Sequence, residues 1–446
     1  MKFDYDLLVI GAGPGGLAAS ERAAGYGARV AIAEQDSVGG TCVIRGCIPE
    51  KLMSFAAEFS DNSQVAAGYG WNQAECAFDW QQFIAAKERE IHRLSQVHNQ
   101  KLEKAGVALI KGKATFVDAH TLDVAGRKIT ADKILIAVGA KDVKPEIPGS
   151  ENIITSSQLF NLKQQPKHIA VIGGNYIPVK LAGILNNLGC QVTQIFLEDH
   201  ILSAFDKDIA LAVEEGMTKR GIQILENTAV KEVKRVGDEL DLILSGKNAN
   251  ILSVDTVLFA RCRTPNNSGL GLEKAGIQLQ SGSIVVDEYN QTTQANIFAV
   301  GDCINRINFT PVAIAQGRAF ADSQFGNNPH TVCYEYVPST VSSHPQAATV
   351  GLSEAEAHEK LGDVRCYCSR FHPLLHSLTN RDEKTLVKLV VDSHSDRVLG
   401  AHMVGEGAIE IIQCLALALR VGATKKHFDE AIGIHPSIAE EFLTLR

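Results

Sequence analysis

The 446 residues, 45% of them hydrophobic, carry a formal net charge of −8, bulk enough for about three domains at ~100–200 residues each and without the basic excess of a nucleic-acid or anionic-membrane binder. No apolar run reaches the ~18 residues that cross a bilayer, and Met1-Lys2-Phe3-Asp4-Tyr5-Asp6 lacks a secretory signal's basic start and apolar core, so a cytoplasmic protein is expected. Ten cysteines are scattered along a chain too large to need disulfide staples, and no paired-cysteine ligand spacing offers a metal site, so none is expected.

The chain opens on Tyr5-Asp6-Leu7-Leu8-Val9-Ile10, a buried strand, then Gly11-Ala12-Gly13-Pro14-Gly15-Gly16, then a helical pattern to about Tyr26. Strand, glycine turn and helix in that order are the context of a dinucleotide fingerprint, with Gly11, Gly13 and Gly16 at its glycine positions. The next strand, from Ala28 to Ala33, ends in Glu34, where an acid takes ribose hydroxyls. Cys42 and Cys47 follow within Gly39-Gly40-Thr41-Cys42-Val43-Ile44-Arg45-Gly46-Cys47-Ile48-Pro49, just before a helix-like run. Two thiols so placed are a candidate redox-active disulfide.

Lys133-Ile134-Leu135-Ile136-Ala137-Val138-Gly139-Ala140 is a strand running into a tight turn at Gly139. A second strand, turn and helix begin at Lys167, with the turn reading Gly173-Gly174-Asn175-Tyr176-Ile177-Pro178. Against G-x-G-x-x-G, Asn175 takes the place of a glycine and Pro178 that of a small packing residue. The proline also deletes an N–H from the turn that would hold an anion. The following strand leads to Glu198-Asp199, with no arginine nearby along the chain, so a 2′-phosphate is disfavoured and NADH is expected over NADPH.

Ala295-Asn296-Ile297-Phe298-Ala299-Val300-Gly301-Asp302 is another strand, ending in a carboxylate placed either to bind a ribityl chain or to cap the next turn. Cys366-Tyr367-Cys368 sits in a strand-like alternation that sends both thiols the same way; it reads, like most of the remaining cysteines, as structural. Near the end, His435-Pro436-Ser437-Ile438-Ala439-Glu440-Glu441 supplies a histidine and a carboxylate to orient it. That is an acid-base partner for thiol chemistry.

Together, the first fingerprint, the cysteine pair, Gly301-Asp302 and His435-Pro436 make the whole chain similar to the class I flavoprotein pyridine nucleotide-disulfide oxidoreductase family, closest to its glutathione reductase members. The resemblance implies an α/β fold: two Rossmann-like dinucleotide-binding domains and a C-terminal α+β dimerisation domain. The expected divisions are an FAD-binding domain over 1–144 and 266–328, an NAD(P)-binding-type domain over 145–265 and an interface domain over 329–446. It implies a homodimer in which Cys42 attacks a small or protein disulfide, Cys47 exchanges electrons with FAD, and His435, oriented by Glu440, serves the partner's site. Gly11, Gly13, Gly16, Glu34, Thr41, Gly139 and Asp302 are the expected FAD contacts.

Several residues depart from the family. Glu50 and Lys180 stand where it has a lysine and a glutamate that pair near the flavin, an apparent reversal, and Cys262 stands where it has glycine. Tyr176 keeps the family's gating tyrosine. With Asn175 and Pro178, these changes fall where nicotinamide meets flavin, and weakened NAD(P)H binding is expected. On the substrate side Arg318 matches an arginine that contacts glutathione, while Glu21 and His98 replace an arginine and a tyrosine, so poor activity on glutathione disulfide is expected. Two other readings stay open: the same disulfide chemistry with a non-nicotinamide donor, and a non-catalytic FAD-binding redox sensor.

Overall fold

Leu7, Leu8, Val9 and Ile10 are all buried, the pattern of a strand covered on both faces. They end β1 (Tyr5–Ile10); α1 (Pro14–Gly25) follows, with proline in its first turn where no N–H is needed, and β2 (Val30–Glu34) lies parallel to β1. Next come α2 (Gly40–Arg45), α3 (Cys47–Gly68), α4 (Trp80–Lys104), β3 (Ala108–Lys111), β4 (Ala114–Phe116), β5 (Thr121–Val124), β6 (Arg127–Ile136) and β7 (Ala140–Asp142). The computed structural model describes residues 2–71 and 77–446; Cys76 lies outside them.

The second unit holds β8 (Ile154–Thr155), α5 (Ser156–Leu159), β9 (His168–Ile172), α6 (Tyr176–Asn187), β10 (Gln191–Ile195), α7 (Lys207–Lys219) and β11 (Gln223–Leu225), then β12 (Thr228–Val236), β13 (Glu239–Gly246), β14 (Ile251–Val254) and β15 (Thr256–Phe259). Its parallel sheet runs β11-β10-β9-β15-β8, and β12-β13-β14 form a separate antiparallel sheet. The chain returns through β16 (Arg263–Pro265), which pairs antiparallel with β7, so outgoing and incoming crossings form one two-stranded ribbon. After the hairpin of β17 (Leu279–Gln280) and β18 (Ser283–Ile284), β19 (Ile297–Ala299) joins β6 in parallel and completes a seven-stranded sheet of order β3-β2-β1-β6-β5-β4.

Helix α8 (Thr310–Phe325) packs on α1. The remainder comprises β20 (Ser339–Val341), β21 (Ala347–Gly351), α9 (Glu354–Leu361), β22 (Val364–Phe371), β23 (Thr385–Asp392), β24 (Val398–Val404), α10 (Ala408–Arg420), α11 (Lys425–Glu430) and α12 (Glu441–Thr444), with an antiparallel sheet β20-β21-β24-β23-β22. Cys366 and Cys368 are both exposed on edge strand β22. The core of the second unit is continuous with Met53 and Ala57 of α3 and with Val341 and Leu386 of the third sheet, so α3, α6 and the third sheet meet around one body of apolar side chains.

Candidate active site

A sharp glycine turn links β1 to α1. Gly11 has φ +101°, and a Cβ on Gly16 would lie 2.0 Å from the Gly11 carbonyl oxygen, which leaves no room for a side chain. No side chain caps α1, so its first-turn N–H groups stay available to an anion. Buried Glu34 accepts from the amides of Ala12 (2.7 Å) and Asp36 (2.8 Å), which fixes its carboxylate at the end of β2. Gly139 turns the chain after β6 at φ +67°, and Asp302, just past β19, accepts from Arg263 Nη1 at 3.0 Å.

The two cysteines sit on opposite sides of a helix break at Gly46: Cys42 in α2, Cys47 the first residue of α3. Gly40, Thr41, Val43 and Ile44 are weak helix formers, which hid α2 from sequence reading; buried Val43 anchors it instead. The thiols are unbonded and within hydrogen-bonding reach of each other, and Cys47 Sγ lies 3.6 Å from Thr310 Oγ1. The hydrogen bond from Cys42, helped by Thr310, brings the Cys47 thiol down to about 6. The same bond, and then burial, push Cys42 up. The reduced pair therefore carries its first negative charge on Cys47, and Cys42 needs an external base before it can attack.

Beside Cys47, Lys180 Nζ lies 2.9 Å from Glu50 Oε1, with the side chains 12% and 14% exposed. Glu50 and Lys180 thus form an ion pair. Ser342 donates to the same Glu50 oxygen at 2.7 Å, so the contact ties α3 and α6 to the third sheet. The Lys180 ammonium also stands 5.3 Å from the centre of the Tyr176 ring, which meets Phe309 edge-on at 6.0 Å; burial pushes the Tyr176 phenol up to about 12. Glu50→Gln or Lys180→Met, each stranding one charge in a largely buried place, is expected to cost about 3 kcal/mol in chemical denaturation, while the E50K/K180E double exchange restores most of it. Single-variant losses no larger than the ~0–1 kcal/mol of a surface pair would show the contact to be incidental.

The second glycine turn gives up one of its amides to a side chain. Asn175 caps α6, accepting from the Ile177 amide at 3.2 Å and donating to the Arg261 carbonyl at 2.6 Å. Val179 N–H goes to the Asn175 carbonyl as Leu17 N–H goes to that of Gly13 at α1, and each first turn holds one proline without an N–H. Alongside lies an apolar cleft of ≈ 310 Å³, lined by Ile172, Gly173, Ile195, Phe196, Leu197 and Arg261 among others, at the carboxyl edge of the parallel sheet where such folds bind ligands. The expected lack of an arginine near Glu198 does not hold in space. Arg261 Nη2 is 3.4 Å from Glu198 Oε1, brought there from a different strand.

His435 precedes a cis proline, and its Nδ1 meets Glu440 Oε1 at 2.9 Å and Oε2 at 3.2 Å. The Ser437 amide donates to the same carboxylate at 3.1 Å; that bond first, then His435, holds Glu440 below its usual range. The imidazole is 81% exposed, Glu440 is its hydrogen-bonding partner among the described residues, and Ile432 and Ile434 beside it are also exposed.

Comparison with known proteins places this architecture. Residues 5–317 match the pyridine nucleotide-disulphide oxidoreductase family, and 337–446 match its dimerisation domain. The chain belongs to that family. It is 55% identical to a glutathione reductase of Nostoc sp. (strain PCC 7120), over the full length of both. A Burkholderia cepacia glutathione reductase is 46% identical, with 100% of this chain and 99% of that protein covered, and the chloroplastic/mitochondrial enzyme of Pisum sativum 40%, with 100% and 83% covered. The chain is accordingly an FAD-dependent disulfide oxidoreductase built of two dinucleotide-binding domains and a dimerisation domain.

Its residues fit the family's flavin. The bare glycine turn, the uncapped start of α1 and the fixed acid at Glu34 are what an adenine dinucleotide needs. Among the described residues, no helix is long and apolar enough to cross a membrane. Of the residues expected to face a substrate, Glu21 lies on α1, His98 on α4 and exposed Arg318 on α8. Burial lowers the His98 imidazole pKa, and His98 also feels the charges of Lys101 and Glu21. Sequence reasoning missed Thr310, Ser342 and Arg261, each far along the chain from the group it touches and signalled by no motif.

Proposed function

We propose that this chain is a homodimeric reductase that takes electrons from a nicotinamide nucleotide, NADH in preference to NADPH, and delivers them to a low-molecular-weight or protein disulfide through Cys42 and Cys47. The observation that carries this reading is the placement of the thiol pair, Cys42 and Cys47 flanking one helix break with Thr310 against Cys47 and the Glu50–Lys180 pair near by, in a chain that also fixes an exposed histidine on a carboxylate. We assign FAD binding to residues 1–144 and 266–328, nucleotide binding to 145–265 and dimerisation to 329–446, with Gly11, Gly13, Gly16, Glu34, Thr41, Gly139 and Asp302 holding FAD. Glu50, Lys180 and Tyr176 border it on the nicotinamide side. When bound, FAD supplies a two-electron carrier between the nucleotide and the Cys42–Cys47 disulfide.

In the disulfide half-reaction, His435 of the partner subunit takes the Cys42 proton, and the Cys42 thiolate attacks one sulfur of the substrate. A mixed disulfide forms, and the leaving thiolate takes the proton back from the imidazole. Cys47 then attacks the Cys42 sulfur, expelling the second half of the substrate and closing the Cys42–Cys47 disulfide. Glu440 keeps Nδ1 of the imidazole engaged, so that Nε2 faces the thiol. The relatives' names point to glutathione disulfide as substrate. Arg318 retains one cation for its carboxylates, but Glu21 repels them, which lowers affinity for an anionic peptide.

Anaerobic mixing of the purified flavoprotein with NADH and with NADPH, followed by glutathione disulfide or an uncharged disulfide, tests the proposal. Flavin bleaching faster with NADH, and turnover better with the uncharged disulfide, are expected. The Ile177 N–H of the second turn, taken by Asn175, favours one alternative, a non-nicotinamide donor. That alternative prevails if neither nucleotide bleaches the flavin while a chemical dithiol does. A redox sensor without catalysis would give the same thiol titration but no turnover from any donor.

A further inference from the structure

We propose that Arg261 is the anion-holding side chain of the second unit's cleft, taking over from the spent helix N-terminus, and that Glu198, which it now grips, sets the choice between nucleotides with and without a 2′-phosphate. The proposal rests on the reading of that cleft as a nicotinamide-nucleotide site.

The two glycine turns differ in what they leave free. At α1 no side chain takes up the first-turn N–H groups. At α6, Asn175 Oδ1 takes the Ile177 N–H; each first turn holds one proline, Pro14 or Pro178, so a pyrophosphate finds one fewer free amide at α6 than at α1. Asn175, however, does a second thing: its Nδ2 locks the Arg261 carbonyl at 2.6 Å. The Arg261 backbone lies so close to the turn that a Cβ on Gly173, where φ is +132°, would come 3.2 Å from Arg261 Cα. The backbone is pinned at the mouth of the cleft, while the side chain is 46% exposed.

That side chain ends 3.4 Å from Glu198 Oε1, on the loop that follows β10, and the other Glu198 oxygen accepts from the Leu197 amide at 3.1 Å. Arg261 lines the cleft together with Ile172, Ile195, Phe196 and Phe259, and Glu198 follows the lining residue Leu197 directly. A half-exposed pair at this distance is weak. A pyrophosphate, which offers the planar guanidinium two oxygens and more charge, can draw Arg261 off Glu198. The released carboxylate then accepts from ribose hydroxyls and repels a 2′-phosphate. One ion pair thus replaces the lost amide and imposes the preference.

Equilibrium titration of the oxidised, full-length flavoprotein with ADP-ribose and with 2′-phospho-ADP-ribose reads binding without electron transfer. The wild type is expected to bind the first about tenfold more tightly, R261Q to bind both about tenfold more weakly, and E198Q to close most of the gap between them. Arg261→Lys, a charge without the fork, should recover only part of the loss; thermal unfolding and thiol titration check that each variant is folded. R261Q binding both probes as the wild type does would overturn the inference, and so would a wild type that binds neither. In either case, bleaching of the wild-type flavin by NADH decides separately whether the reading of the cleft survives.

Discussion

Cys42→Ser is expected to lower kcat/KM for every disulfide by on the order of 10⁴-fold or more, the scale on which removing a nucleophile stops a covalent mechanism. Cys47→Ser should lose turnover as completely but fail at a different step: Cys42 still attacks, and half of the substrate stays attached to it. Peptide mass spectrometry of Cys47→Ser, reduced, exposed to substrate and denatured in acid, should therefore find an adduct at Cys42, and Cys42→Ser should carry none at Cys47. An adduct on Cys47 instead would reverse the assignment. The ionisation of the pair supplies a second check. Cys47 is brought down to about 6 chiefly by the hydrogen bond from Cys42, so its thiolate is present above that pH and lost as pH falls through it. Cys42→Ala removes the donor, and the ultraviolet thiolate absorbance should then appear only at higher pH.

Cys42 and Cys47 were legible because their chemistry is carried by a short stretch of chain with glycines on either side. So was the first dinucleotide unit, where Tyr5–Ile10, the glycines and Glu34 follow one another within one supersecondary element. The damage to the second turn could be read as missing groups, Asn175 for glycine and Pro178 for an N–H, because the deficit lies in the substituted residues. Its consequence could not. That Asn175 grips the Arg261 carbonyl, and that Arg261 reaches Glu198, depends on β15 and β10 lying on either side of β9, an order that local patterning does not encode. Glu50 and Lys180 were recognised as a suspicious exchange, yet their contact and the Ser342 hydroxyl on Glu50 follow from how α3, α6 and the third sheet close on one another. Helix α2 escaped for the opposite reason: its residues have little helical preference, and burial of Val43 overrides them.

His435→Gln should lower kcat/KM for disulfide reduction by ~10²- to 10⁴-fold, the usual worth of a positioned acid-base group, and should leave anaerobic bleaching of the flavin by NADH intact. The split between half-reactions is what marks a role at the thiol rather than in the fold. Glu440→Gln keeps a hydrogen-bond acceptor for Nδ1 and removes only the charge, so its loss should be smaller than that of His435→Gln. Since the imidazole is 81% exposed and bonded to Glu440, the decisive question is which chain's Cys42 it serves. Mixing Cys42→Ser with His435→Gln and allowing the subunits to exchange answers it. If the site is shared across the dimer, the hybrid contains one site with both residues intact, and random exchange should restore about a quarter of the wild-type sites. If each chain supplies its own histidine, every site in the hybrid lacks one residue, and the mixture should stay as inactive as its parents.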